Sequence, residues 1–149
     1  MSTALARPSL AAWRWFFLVA AAYDMALGLA FLVAGDSILE AIGMAAPPHV
    51  AYYQLAAVFV FVQGFSYLVV WRDPAASRGL VWVGVVYKGA YTALAVWYLA
   101  LGILPSAFFA PWAVADFLFM LGFLWFLRGR WARVAACSTG RSAGPCRWS

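Results

Sequence analysis

Three charged residues stand in the middle of apolar sequence: Asp24 in LVAAAYDMALGLA, Lys88 in VGVVYKGAYTALA and Asp116 in PWAVADFLFMLG. Two carboxylates and one ammonium can exchange protons, hold a ligand by charge, or pair to fix neighbouring helices. In an apolar solvent each costs about 2.5–3.5 kcal/mol at a helix centre if left alone, and the three together roughly 8–10 kcal/mol. Such residues therefore turn inward and find partners. If all three are ionised the group carries a formal charge of minus one, which a proton, a cation or a ligand must offset. Gln63, in FVFVQGFSYL, adds a fourth polar residue in a similar setting.

The elements that must position them are membrane spans. Of 149 residues, 67% are hydrophobic and only 10% charged, against about 25% charged in a soluble domain. Too few polar residues remain to cover a soluble core, so lipid is the solvent for most of the chain. A spanning helix needs roughly 20 predominantly apolar residues. Four stretches qualify: Trp15–Ala34, Val50–Trp71, Leu80–Leu101 and Ala107–Leu127. None alternates in polarity as a barrel strand does. The expected fold is an all-α membrane bundle of four transmembrane helices. Residues 1–14 form a cytoplasmic N-terminus, 15–134 the transmembrane domain and 135–149 a disordered cytoplasmic tail.

Basic residues set the expected orientation. Arg7 and Arg14 precede the first span, Arg72 and Arg78 separate the second from the third, and Arg128, Arg130, Arg133, Arg141 and Arg147 follow the fourth. The other two loops, Gly35–His49 and Gly102–Ser106, contain neither Lys nor Arg. The positive-inside rule then puts both termini in the cytosol. The net charge of +5 reads as topology and lipid headgroup contact, with no nucleic acid as partner. Trp13, Trp15, Trp71 and Trp131 fall near one interface and Trp97 and Trp112 near the other, as in an aromatic belt.

Depth brings the polar residues together. Counted from the outer end of each span, Asp24 and Asp116 lie about ten residues deep, and Lys88 and Gln63 about thirteen. At 1.5 Å per residue the two levels differ by roughly 5 Å, within reach of a lysine stem. Helical side chains lean toward their own N-terminus, which on this count draws Lys88 away from Asp116. On the Lys88 face, at helical spacing, stand Gly84, Tyr91, Thr92 and Ala95, the small and hydroxylated residues that packing in lipid requires. The candidates for ligand or proton binding are therefore Asp24, Lys88, Asp116, Gln63, Tyr91 and Thr92.

The loops add less. In WRDPAASRG, Asp73 suits the cap and Pro74 the first position of the third helix. In GDSILEAIGMAAPPHV, Ser37 and Glu40 make an S-x-x-E capping box for a short helix at the outer interface, ended by Gly43. The first apolar run continues past Asp24 to Ala34, too long for the core of a cleaved signal. Cys137 and Cys146, the only cysteines, fit no common zinc spacing, and the final CRWS lacks the aliphatic residues of a prenylation box. One histidine, no C-x-x-C and no Walker pattern leave no metal, haem or nucleotide motif, so no cofactor is indicated.

Short motifs from Tyr23 to Leu127 carry a resemblance. They are Tyr23–Asp24, Pro47–Pro48, Gln54, Gly64 with Tyr67, Arg72–Asp73–Pro74, Lys88 and Ala115–Asp116. In this pattern the chain resembles a family of small bacterial four-helix integral membrane proteins of no established activity. That family has Asn where Asp24 stands and Asn where Ala115 stands, so a ligand held by those amides would be met differently here. More distantly the chain looks like DoxX-type four-helix proteins, some tied to quinone or thiol redox chemistry. The resemblance implies a multi-pass protein of the bacterial inner membrane. Three functions stay open: binding or transport of a small ligand or protons, an accessory subunit in a homodimer or larger membrane complex, and an intramembrane acid–base enzyme acting on a lipid-like substrate. Lys88 argues against cationic substrates, which it would repel inside a low-dielectric pocket.

Overall fold

The computed structural model describes residues 9–129; the expectations for the tail, its cysteines and Trp131 lie outside them. Four helices follow one another: α1 (Leu10–Ala41), α2 (Ala51–Arg72), α3 (Arg78–Ala100) and α4 (Ser106–Arg128). Each is long and apolar enough to cross a membrane. The boundaries fall within a few residues of the expected spans except at the two ends of α1, which runs for 32 residues.

Local chemistry explains the helix ends. Ser9 caps α1, its hydroxyl accepting the Ala12 amide at 3.2 Å. At the far end of α1, Gly43 takes a positive φ of 71°, Gly43 N–H donates to the Glu40 carbonyl, and Met44 N–H donates to the Leu39 carbonyl. Gly102, at φ 69°, ends α3 with the same pair of bonds, to Leu99 and from Ile103 to Tyr98. Both are Schellman turns, and glycine is there because an L side chain resists that backbone conformation. The last turn of α4 is capped from another helix: the Arg78 guanidinium donates to the Leu127 carbonyl at 2.5 Å and to the Gly129 carbonyl at 3.3 Å.

Three expectations need correction. A short helix does follow the first span, beyond a kink at Ala34 (φ −130°, ψ 23°), but it is helical from Gly35, ahead of the Ser37–Glu40 box expected to start it. The Tyr53 ring of α2 packs on Gly35, where any side chain would collide with it, and its hydroxyl donates to Asp36 Oδ1 at 2.7 Å. Asp73 does not cap α3 either. Its Oδ1 accepts the Ala76 amide at 3.1 Å, capping the turn over Pro74–Ser77, and α3 begins only at Arg78. Trp13 leaves the expected belt for the core at 4% exposure, ringed by Phe16, Trp125 and Phe126.

The chain folds as two helical hairpins, α1–α2 and α3–α4, whose backbones approach closely within each pair and little between pairs. In the first hairpin the approach is limiting. A Cβ on Gly28 would stand 2.7 Å from the Ala57 carbonyl oxygen and the Phe61 nitrogen. One on Gly64 would stand 2.7 Å from the Met25 nitrogen and 2.9 Å from the Ala21 oxygen. Small residues let helices in lipid come close enough for dispersion to hold them.

Packing between the hairpins is uneven along their length. Toward the termini, Phe17, Tyr67, Val70, Val81, Phe123 and Phe126 are fully buried in one cluster. Phe17 stacks on Phe123 at 5.5 Å, and Tyr67 tilts against Phe123 at 5.0 Å. Toward the α1–α2 and α3–α4 loops the buried residues are Gly28, Gly35, Leu39, Ala57, Ala95 and Ala113, mostly too small to fill the space. The outward faces are apolar, with Phe59 72% and Val33 79% exposed, as a lipid-facing surface demands.

Candidate functional site

Where the filled half meets the open half, α3 presents Lys88. Its ammonium donates to Asp24 Oδ1 of α1 at 2.5 Å and to Asp116 Oδ1 of α4 at 2.5 Å. All three residues are buried, at 1%, 1% and 4% exposure. The N-terminal lean of the side chains does not keep Lys88 from Asp116; the stem spans the difference. Both bonds are charge-assisted, the stronger kind of hydrogen bond. Together they cross-link the two hairpins where backbone contact is slight.

Aromatic rings close round the ammonium. Lys88 Nζ stands 4.8 Å from the centroid of the Tyr23 ring, 5.5 Å from Tyr87 and 5.7 Å from Phe119. Their π faces supplement the carboxylates in replacing water around the charge. These three rings are absent from the sequence-derived candidates, although the signal is there. Tyr23 and Tyr87 directly precede Asp24 and Lys88, and Phe119 lies one turn beyond Asp116 on its face. One turn below Lys88, Gly84 makes room for Tyr67: a Cβ there would come within 2.9 Å of the Tyr67 hydroxyl.

The remaining candidates take other positions. Tyr91 is half-buried and faces the open half with Tyr87. Thr92 is half-buried on the same helix, and its Oγ1 has no hydrogen-bond partner among the described residues. Gln63 is half-buried and bonds to none of the three charged residues. Its backbone carbonyl accepts the Ser66 hydroxyl at 2.7 Å, while its buried side-chain amide nitrogen has no partner among the described residues. Asp24 Oδ2 and the Tyr23 and Tyr67 hydroxyls are also buried without partners there. Polar capacity around the triad thus exceeds what the triad uses, and native interiors seldom leave so much unspent.

Above the triad lies a cavity of about 170 Å³ between the hairpins. Asp24, Lys88 and Asp116 form its floor, and all four helices line it. Its walls include Phe31, Tyr53, Tyr87, Tyr91, Phe108 and Trp112, and it reaches Tyr53 and Phe108, within a turn of the loop end. Along α4 the floor and the upper wall are separated by the rise from Phe108 to Asp116, about 12 Å. Trp112, read from sequence as a belt residue, is part of this wall. Among the described residues no three His, Cys, Asp or Glu side chains gather to hold a metal. The arrangement can bind a small, mostly apolar molecule against one polar anchor, and it can take up or release a proton at a carboxylate. Comparison of the chain with protein-family models, with curated proteins and with solved structures finds no match.

Proposed function

We propose that the protein binds a small ligand within the membrane, in the cavity between its hairpins, with the Asp24–Lys88–Asp116 triad as the polar anchor. The observation that carries the proposal is the coincidence of cavity and triad: among the described residues, the one group of buried charges floors a cavity that all four helices line. A triad needed only to hold the hairpins together would be served as well by a closed bundle. The excess carboxylate also lets the site hold a proton in the ligand's absence, so that binding and proton release are linked.

The proposal carries an orientation and a place. Both termini face the cytosol, the cavity opens toward the outer leaflet, and the helix after Ala34 lies along the outer interface beside the mouth. The membrane is the bacterial inner membrane, on the resemblance borne by Tyr23–Asp24, Arg72–Asp73–Pro74 and Lys88. Native mass spectrometry of protein gently extracted from its own membrane tests the reading. A small mass that stays with the chain, and is lost in a variant with Trp112→Ala, is the expected result. A stoichiometric second protein and no small mass would sink the proposal in favour of an accessory subunit.

A further inference from the structure

The charge of the cavity floor decides which ligands it admits, an inference that rests on the small-ligand reading above. We propose that the cavity takes a small organic cation: an ammonium group on an apolar body about the size of one ring.

The charge count comes first. Both carboxylates that can meet Lys88 do meet it, each at 2.5 Å, so the lysine charge is already shared. With both aspartates ionised one carboxylate charge is left over, and no other cationic side chain among the described residues lines the cavity. Asp24 Oδ2 accepts no hydrogen bond among the described residues although it is buried. Lys88 alone would repel a cation, but Lys88 gripped by two aspartates does not set the sign of the site. A second ammonium in contact with a carboxylate of the floor is attracted so long as it stands nearer that carboxylate than Lys88, since Coulomb attraction at contact outweighs repulsion from farther away. An anion would add a second uncompensated negative charge. A neutral molecule would leave the first one for a proton to offset, whereas a cation offsets it directly.

The walls agree with that sign. Tyr87, Tyr91, Trp112 and Phe108 line the cavity, and aromatic rings can attract cations through their π faces and bind apolar bodies. The chain already holds a primary ammonium this way, since Lys88 Nζ sits among Tyr23, Tyr87 and Phe119 with carboxylates alongside. Size fits as well: about 170 Å³ is slightly more than an apolar cavity that holds benzene.

The test is a charge series at constant shape, titrated into the native chain in micelles by calorimetry, with empty micelles as blank. Benzylammonium, benzyl alcohol and benzoate are the probes. The expected result is benzylammonium binding about tenfold or more tighter than either of the others. Asp116→Asn should abolish that preference by removing the surplus charge, and Tyr91→Leu should weaken the cation while leaving benzyl alcohol within about twofold. If Asp116→Asn fails to fold, the series on the native chain with Tyr91→Leu decides the matter alone. Benzyl alcohol or benzoate binding as well as benzylammonium would overturn the cation class and leave the ligand site standing. Binding of none of the three, with no small mass on the extracted protein, would overturn both.

Discussion

At the scale of the residue, the triad is a matter of balance. Lys88 is tolerated inside the bundle because Asp24 and Asp116 satisfy it, and they are tolerated because it satisfies them. Replacing such a group with apolar residues throughout is often neutral or better, but removing one member strands the rest. Lys88→Ala leaves two carboxylates facing each other in a low-dielectric interior. The expected cost is about 3–5 kcal/mol, seen as a fall in the unfolding midpoint in micelles. Adding Asp116→Asn to that variant takes away half of the stranded charge and should restore much of the loss. The resulting coupling between the two positions is the signature of direct contact. A Lys88→Ala protein that melts with the native chain, or a double variant no better than the single, would mean the triad is not what joins the hairpins. The triad was legible in the sequence because lipid makes unpaired charge so costly that depth alone nearly specifies the partners. Gln63 shows the limit of that argument. It lies at the right depth, yet its side-chain nitrogen meets no partner among the described residues, because depth says nothing of which way a helix is turned.

At the scale of the element, spans were legible and their joints were not. A helix in lipid must satisfy its backbone internally, so apolar length translates directly into α1 to α4. Joints answer to contacts across the chain: Tyr53 packs on Gly35 beside the kink at Ala34, and the turn that Asp73 caps stands between Pro74 and the start of α3. The glycines of the first hairpin were likewise silent in the sequence as packing sites for particular neighbours. Gly28 and Gly64 face backbone, which cannot give way, whereas Gly79 faces open space. Gly28→Ala and Gly64→Ala should therefore each destabilise by about 1–3 kcal/mol through overpacking. Gly79→Ala should do the reverse, gaining about 0.5–1 kcal/mol from helix propensity. Three melts in one micelle compare the signs directly. If all three variants shift the same way, propensity governs these positions, and the close approach of α1 to α2 does not hold the hairpin.

At the scale of the whole molecule, the bundle is filled at one end and open at the other. The difference is large in energy. A cavity of about 170 Å³ that stayed dry would cost about 4 kcal/mol on the scale measured for cavities in soluble cores. On the proposed function, the open half is what keeps the triad accessible to a ligand. Had Leu or Phe stood at Ala57 and Ala113, the two hairpins could have closed along their full length as they do around Phe123. Access can be measured with cysteines. In a background where Cys137 and Cys146 are serine, Ala57→Cys places a thiol in the cavity wall, and Ala20→Cys places one in the packed half. Both alanines are buried, at 4% and 0% exposure, so burial alone does not separate them. A water-soluble methanethiosulfonate should modify the first at least about tenfold faster than the second, because the cavity reaches the loop end and the packed half does not. Benzylammonium should slow only the first. Equal rates would mean that the bundle breathes as a whole and that the open half is no more accessible than the filled one.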